Sequence, residues 1–241
     1  APVGLTTIAE QVAAATACMA ALQPQLGFGV EMGDEGGFAP RLADNAAALD
    51  VLVRAIVAAG YTTEQIRIAL DIAATSLYRE GAYELGGKRH TDAEMLAWYE
   101  KIVASYPIIS IEDPFYEEDW DGFAALTAAL GETVRVVGDD LTVTNTKRIQ
   151  EAAKRRAANA CIIKPNQIGT VTEAIEAVLT ARQAGWKVYA SHRSGETMDT
   201  FIADFAAGLG CDYLKAGAPT KEERLVKYNR LMDIEKELSS L

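Results

Sequence analysis

Residues 160–192 read ACIIKPNQIGTVTEAIEAVLTARQAGWKVYASH. The stretch opens with a β-branched run at 160–164, continues with apolar residues at helical spacing over 170–184, and ends with a second apolar run at 187–191. A strand, a helix and a second strand in this order are typical of parallel strands joined by a crossover helix. The stretch therefore predicts an α/β fold.

The same alternation extends from residue 67 to the end of the chain. It predicts six strands, at 67–72, 108–113, 134–139, 160–164, 187–191 and 213–215. The helices that follow them are predicted at 92–105, 120–130, 145–157, 170–184, 199–208 and 221–238. Upstream, strands at 2–4 and 28–32 and helices at 7–22 and 44–59 bring the strand count to eight. Eight strands and about 250 residues are usual for a closed α/β barrel, so residues 1–241 are predicted to form one barrel domain.

Composition excludes several classes of partner. The chain has 34 acidic and 23 basic residues and a formal charge of -11, which repels nucleic acid and anionic membranes. Its three cysteines form no CxxC pair, so neither a disulfide framework nor a zinc knuckle is indicated, and a cytoplasmic location is expected. The uncharged stretch 11–30 is interrupted by polar residues and predicts an amphipathic helix, not a signal peptide or membrane span.

Ionisable side chains stand at the ends of the six predicted strands. In an α/β barrel the active site gathers at the carboxyl ends of the strands. Each residue alone has a structural alternative, because an Asp after a strand often caps the next helix and a strand-end Lys is often solvated. All six together favour a catalytic site, because buried charges are costly unless they serve one another. The six are Asp71, Glu112, Asp139, Lys164, His192 and Lys215.

Three of these residues predict a metal site. Asp71, Glu112 and Asp139 come from adjacent strands, and carboxylates converging in this way suit a hard cation such as Mg²⁺. Zinc is not indicated, because the only two histidines have no cysteine beside them. Lys164 follows on the next strand, where nearby positive charge would lower the pKa of its amine and suit it to act as a general base.

Two loops add candidate residues. Residues 191–197 (SHRSGET) offer a guanidinium, hydroxyls and backbone amides directly after a strand, which can hold a phosphate. Residues 33–37 (GDEGG) form a flexible turn in which Glu35 is a candidate proton donor. An ordinary polar loop and an exposed acidic turn remain the alternatives at this point. His90 is interpreted as a surface residue.

Seven motifs, in one order along the chain, resemble the signatures of the enolase family. The resemblance covers essentially the whole sequence and implies a TIM barrel of the form ββαα(βα)6, whose second strand is antiparallel. It also implies the magnesium-dependent dehydration of 2-phosphoglycerate to phosphoenolpyruvate, a lyase reaction of glycolysis. The motifs are GDEGGFAP (33–40), ALDIA (69–73), SIEDPF (110–115), GDDLTVTN (138–145), IKPNQIGT (163–170), SHRSGET (191–197) and LKAGAP (214–219).

The resemblance also implies roles for individual residues. Asp71, Glu112 and Asp139 resemble the magnesium ligands, and Lys164 resembles the base that removes the proton from carbon 2. Glu35 resembles the residue that helps expel the carbon 3 hydroxide. The implied substrate-binding residues are Ser191, His192, Arg193, Ser194 and Lys215, together with Glu112 and Asp139.

Enolases normally carry an N-terminal α+β domain ahead of the barrel, and residues 1–4 resemble the start of the barrel. We therefore expect the N-terminal domain to be absent here and to be supplied by a separate chain, with self-association as another outcome. A catalytically weak or inactive barrel that acts as a binding or scaffold protein is the alternative function. The retained lysines and carboxylates favour the enzyme.

Overall fold

The stretch that predicts the α/β fold forms a strand at Ala160–Ile163, a helix at Val171–Gln183 and a strand at Lys187–Ser191. The structure is a computed structural model, and it describes residues 1–27 and 29–240. The chain divides into two compact units, residues 68–189 and residues 1–67 with 190–241. Each unit is considered by itself, and the assignment of residues 1–241 to one domain remains a prediction.

Residues 68–189 contain a parallel sheet with helices between its strands. The strands follow one another in chain order, and Lys187–Ser191 begins in this unit as the next neighbour. The first four are Ile68–Asp71, Ile108–Glu112, Arg135–Gly138 and Ala160–Ile163. The helices are Asp92–Ser105, Trp120–Leu130, Thr146–Arg155, the short Pro165–Ile168, and Val171–Gln183.

Three strands of this sheet are mostly buried, whereas the first strand exposes Ala69 and Asp71. All four residues of Ala160–Ile163 are buried, which explains why this strand reads as an unbroken apolar run. Capping side chains set the helix starts: Thr91 accepts from the backbone N–H of Glu94, whose carboxylate accepts from the N–H of Thr91 in return. These local signals place the start of the helix Asp92–Ser105 where the sequence predicts it, and its end also agrees with the prediction.

Residues 1–67 and 190–241 supply four helices and the last strand. The helices are Ile8–Leu26, Asn45–Ala58, Phe201–Gly208 and Glu222–Ser239, and the strand is Tyr213–Lys215. The first helix runs four residues beyond its predicted end at residue 22 and includes Pro24. Among the described residues, no helix is both long enough and apolar enough to cross a membrane.

Three features differ from the sequence-based expectation. The predicted strand at 2–4 is a single antiparallel bridge between Pro2 and Ile66. Phe28 lies outside the described residues, and the rest of the predicted strand at 28–32 makes one antiparallel bridge, from Met32 to Phe38. An unpredicted antiparallel sheet is formed by Tyr78–Arg79, Ala82–Leu85 and Lys88–His90. Two close turns that contain glycine connect its strands, which the sequence pattern did not predict. His90 is half-buried there, so its interpretation as a surface residue was too simple.

Candidate active site

The strand ends of residues 68–189 carry the predicted carboxylates. Asp71 and Glu112 lie directly opposite each other in the register of two paired strands. Glu112 and Asp139 are 6% and 7% exposed, whereas Asp71 is an exposed residue. Asp71 accepts a hydrogen bond from the backbone N–H of Ala73, at 3.2 Å. Two of the three predicted metal ligands are therefore buried carboxylates, which is unusual unless they bind a partner.

The acidic side chains that come closest together are not the predicted trio. In the described part of the chain, oxygens of Asp113, Asp139 and Asp140 lie within 4.8 Å of one another and could hold a metal ion. Only Asp139 belongs to both sets. Burial and the charge of Asp139 raise the pKa of Asp140, and the charges of Glu117 and Asp71 act in the same direction. The charge of Asp71 thus acts on this cluster, although Asp71 is not one of its three members.

Asp113 has a structural task within this cluster. Its two oxygens accept the backbone N–H groups of Asp139 and Asp140, each at 2.9 Å. Burial raises the pKa of Asp113 to about 7 in spite of these two bonds. Because both of its oxygens already accept hydrogen bonds, Asp113 holds the turn that presents Asp139. Asp113 was not among the site residues predicted from the sequence.

Asp139 combines an ion pair with a vacant acceptor. Its Oδ2 accepts a hydrogen bond from Lys164 Nζ, and the two side chains are largely buried. Its Oδ1 is buried and has no hydrogen-bond partner. A buried carboxylate oxygen without a donor is costly, and a cation would satisfy it. The donor set therefore fits a metal ion that binds oxygen ligands.

Lys164 is held by its backbone as well as by its ion pair. Its N–H donates to Thr144 Oγ1 at 2.9 Å, and that hydroxyl donates in turn to Gln167 Oε1 at 2.8 Å. Thr144 is fully buried, and its backbone has a positive φ of 57°. This conformation is rare for a β-branched residue and persists only where the surroundings enforce it. The strained loop at Thr144 thus fixes the backbone position of Lys164.

Glu35 lies in a tight turn within the other unit. Gly33 and Gly37 close the turn through a 2.8 Å backbone hydrogen bond, and Gly36 has a φ of 81°. The Glu35 carbonyl accepts from the N–H of Ala218, and Thr220 Oγ1 donates to the Gly36 carbonyl at 3.0 Å. The turn is therefore anchored to the segment after the last strand, which leaves the Glu35 side chain about half exposed.

His192 is buried beside Glu35. Its Nε2 makes no hydrogen bond and lies 3.3 Å from Glu35 Oε2. Its backbone N–H donates to the Lys215 carbonyl at 2.9 Å, which places the two predicted residues on neighbouring chain segments. Burial lowers the pKa of His192 to about 4, assisted by the positive charges of Arg224 and Lys215 and opposed by Glu35 and Glu196. The imidazole is therefore neutral at pH 7.

The loop 193–197 is a polar surface segment with an internal anchor. Arg193 and Ser194 are exposed, whereas Ser191 is buried and donates its hydroxyl to the His192 carbonyl at 3.0 Å. The Glu196 carboxylate accepts the N–H groups of Arg193 and Thr197, each at 3.2 Å. This unit thus brings together Glu35, Ser191, His192, Arg193, Ser194 and Lys215.

Two buried cations that hold this loop were missed. Arg224 and Lys227, on the final helix Glu222–Ser239, are each 1% exposed. Lys227 Nζ donates to the Thr197 carbonyl at 2.5 Å and pairs with Glu196 Oε2 at 2.9 Å. Their spacing from Tyr228 and Leu231 puts both cations on the helix's buried stripe. This helical spacing in the sequence could have identified Arg224 and Lys227 as buried residues.

Gly217 allows this packing, which leads to a prediction. Its φ is 88°, and an added Cβ would lie 2.8 Å from Arg224 Cδ and 2.9 Å from the Glu35 carbonyl oxygen. Gly185 has a similar φ of 77° but no atom within 4 Å of that position. We expect Gly185→Ala to reduce the free energy of unfolding by about 1–2 kcal/mol through backbone strain alone. Gly217→Ala should cost about 1–3 kcal/mol more through the clash.

Denaturant unfolding of the two variants measures the difference. Since both positions share the left-handed backbone, Gly185→Ala controls for strain. Equal losses of stability in the two variants would show that the close approach at Gly217 is absent.

Comparison with known proteins gives one family. The family model described as "Enolase, C-terminal TIM barrel domain" matches residues 1–241. The match confirms the predicted α/β barrel class and the enolase resemblance of the motifs.

Curated relatives agree with this match. The chain is 50% identical to "Enolase" of Acidothermus cellulolyticus over 242 residues, which cover 99% of this chain and 56% of the relative. It is 52% identical to "Enolase 1" of Methanospirillum hungatei over 223 residues, 91% of this chain and 52% of the relative. "Enolase 1" of Methylococcus capsulatus is 50% identical over 244 residues, 98% of this chain and 58% of that protein. The chain thus spans about half the length of the curated relatives it matches.

Proposed function

We propose, since this chain belongs to the enolase family as its C-terminal TIM barrel domain, that it carries the proton-transfer and metal-binding groups of a phosphopyruvate hydratase. The reaction is the reversible dehydration of 2-phosphoglycerate to phosphoenolpyruvate, a carbon–oxygen lyase step of glycolysis. The observation that carries the proposal is the arrangement of Asp139, which has one oxygen bound to Lys164 and the other buried without a donor.

Lys164 is the proposed base. The carbon 2 proton of the substrate lies next to a carboxylate and is weakly acidic, so its removal needs a positioned base and stabilisation of the charge that forms. Lys164 is largely buried and held by Thr144 through its backbone, which limits the orientations of its amine. As long as its ammonium is paired with Asp139 it cannot accept a proton. A cation at Asp139 would weaken that pairing and favour the neutral amine.

Asp71, Glu112 and Asp139 are the proposed magnesium ligands. Two of these carboxylates are buried, and the vacant Asp139 oxygen is of the type that Mg²⁺ binds. Bound Mg²⁺ supplies electrostatic stabilisation of the negative charge that develops when the carbon 2 proton leaves. Asp113 keeps Asp139 in place through the two backbone amides that it accepts.

Glu35 and His192 are proposed for the other half of the reaction. Loss of the carbon 3 hydroxide requires a proton donor, and Glu35 is the carboxyl group on the anchored turn. His192 is neutral and lies 3.3 Å from Glu35. Arg193 and Ser194 are exposed and offer a guanidinium and a hydroxyl to the substrate phosphate, and Lys215 offers a cation to its carboxylate. The buried Ser191 hydroxyl supports this loop by donating to the His192 carbonyl.

The sequence and the comparison with relatives also suggest binding partners and a cellular location. The proposed partner is the small-molecule substrate, with no nucleic acid or membrane expected for a chain of charge -11. Because the relatives extend well beyond the matched region, we propose that full turnover needs the rest of their length, on the same polypeptide or on a separate chain. Self-association into a homo-oligomer is the alternative partner that we propose. The cytoplasm remains the proposed location, because the three cysteines have no CxxC spacing and do not indicate a disulfide framework.

Turnover of 2-phosphoglycerate tests the proposal. We expect phosphoenolpyruvate formation, followed by the ultraviolet absorbance of the enol product, when the chain is mixed with the N-terminal part of the Acidothermus cellulolyticus relative and Mg²⁺. Removal of Mg²⁺ by a chelator should abolish it, and re-addition should restore it. The chain alone and the N-terminal part alone are the controls. No product from the mixture, although the two parts associate, would refute the proposed activity.

A further inference from the structure

The guanidinium of Arg224, on the final helix, is buried and contacts His192, the loop after it and the turn that carries Glu35. Arg224 is 1% exposed, and its Nη1 donates to the Arg193 carbonyl at 2.9 Å and contacts His192 Nδ1. Its Nη2 donates to the Ser194 carbonyl at 2.6 Å and to the Asp34 carbonyl at 3.2 Å. One side chain therefore links the histidine, the loop that follows it and the turn that carries Glu35.

The chemistry of these groups fixes the histidine's tautomer. A guanidinium has donors only and stays protonated, so His192 Nδ1 must accept from Arg224. In a neutral imidazole the proton then resides on Nε2. That nitrogen lies 3.3 Å from Glu35 Oε2 and has no other partner in the described residues. A small rotation of either side chain would make it a hydrogen bond to the carboxylate.

We propose that Arg224 is a positioning residue, which holds His192 as the neutral Nε2–H tautomer facing Glu35 and fixes the carbonyls of Asp34, Arg193 and Ser194 in one frame. The effect of Arg224 on catalysis rests on the proposed function, because it requires that Glu35 acts in dehydration. The tautomer itself does not depend on any activity. Arg224 acts through His192 and the two loops, and it does not touch substrate.

Four charged groups face the imidazole. Glu35 lies on the turn, Lys215 on the last strand, Glu196 on the loop and Arg224 on the final helix. The two carboxylates favour the protonated ring, whereas burial and the two cations favour the neutral one. Removing Arg224 takes away one of these cations and also frees Nδ1. The ring should then titrate at higher pH and populate both tautomers.

Nitrogen-15 NMR of the imidazoles tests this in the full chain. The sequence has two histidines, so His90→Gln assigns the signals and His90 serves as an internal reference. We expect His192 in the parent to show one Nε2–H tautomer at pH 7 and to titrate at more acidic pH than an exposed histidine. In Arg224→Met the single tautomer should be lost, and the titration midpoint should move upward.

Arg230→Gln is the matched control. Arg230 is a guanidinium on the same helix, but its side chain is 30% exposed and pairs with Asp204 and Glu237. Its replacement should leave the His192 spectrum unchanged. An unchanged tautomer and midpoint in folded Arg224→Met would overturn the proposal. Should that variant fail to fold, the parent spectrum still decides, because an Nδ1–H tautomer there contradicts the Arg224 contact.

Kinetics separate the positioning role from general loss of structure. With the conservative Arg224→Lys variant, dehydration should fall by about 10²-fold, as for displaced catalytic groups, while exchange of the carbon 2 proton falls much less. Equal losses of both would indicate a merely structural role for Arg224. If the parent shows neither reaction, the proposed function fails, and the NMR result alone then judges the tautomer.

Discussion

Replacement of Lys164 by alanine is expected to abolish exchange of the carbon 2 proton of 2-phosphoglycerate with solvent deuterium. General base catalysis is worth about 10²–10⁴-fold, so exchange should fall by at least that range. The amine concerned is held beside Asp139, where its Nζ pairs with Oδ2 of that carboxylate. Loss of the proton signal from substrate in deuterated buffer, followed by NMR at fixed Mg²⁺, measures the rate. This readout remains usable when overall turnover is slow.

Glu35→Gln is the contrasting variant. Because the proposed role of Glu35 concerns the carbon 3 hydroxide, its loss should block dehydration and spare much of the exchange. The amide keeps the size of the side chain and removes its titrating proton. If Lys164→Ala exchanges the proton as fast as the parent, another residue is the base and the assignment of Lys164 is wrong.

The element order could be predicted from sequence because its signals are local. The helix Trp120–Leu130 has its predicted ends, and its start is set by the Asp119 cap, whose carboxylate accepts from the N–H of Gly122. The strand Ala160–Ile163 was predicted because a strand buried on both faces has no polar positions. Such patterns lie within a few residues of one another, so one sequence suffices to find them.

The hidden supports of the site could not be predicted in the same way. Asp113 and Asp139 are 26 residues apart, and Arg224 and Asp34 are 190 apart, so their hydrogen bonds depend on the folded chain. Strand-end position identified the candidate ligands, but it could not say which oxygens already have donors. For the same reason Asp113 was overlooked, although it follows Glu112 directly. The residues that meet a ligand were thus easier to find than those that hold them.

Asp139→Asn should remove most of the Mg²⁺ affinity of the chain. The substitution keeps the shape of the side chain but removes the charge from a carboxylate that has a buried oxygen without a donor. Loss of outer groups around metal sites costs about 10–100-fold in affinity, so loss of a direct ligand should cost about 100-fold or more. Isothermal calorimetry of the purified chain with MgCl₂ measures the effect. Asp121→Asn, which changes an exposed acidic residue on the helix Trp120–Leu130, controls for the change in net charge.

Lys164→Ala should change Mg²⁺ affinity in the opposite direction. The lysine ammonium pairs with Asp139 Oδ2, and a cation arriving at that carboxylate must compete with it. Removing the ammonium takes away both the competitor and a repelling charge, so magnesium should bind more tightly at neutral pH. Opposite changes in Mg²⁺ affinity in the two variants thus distinguish the metal ligand Asp139 from its neighbour Lys164. Unchanged binding in Asp139→Asn, or weaker binding in Lys164→Ala, would show that Mg²⁺ binds to other carboxylates of this chain.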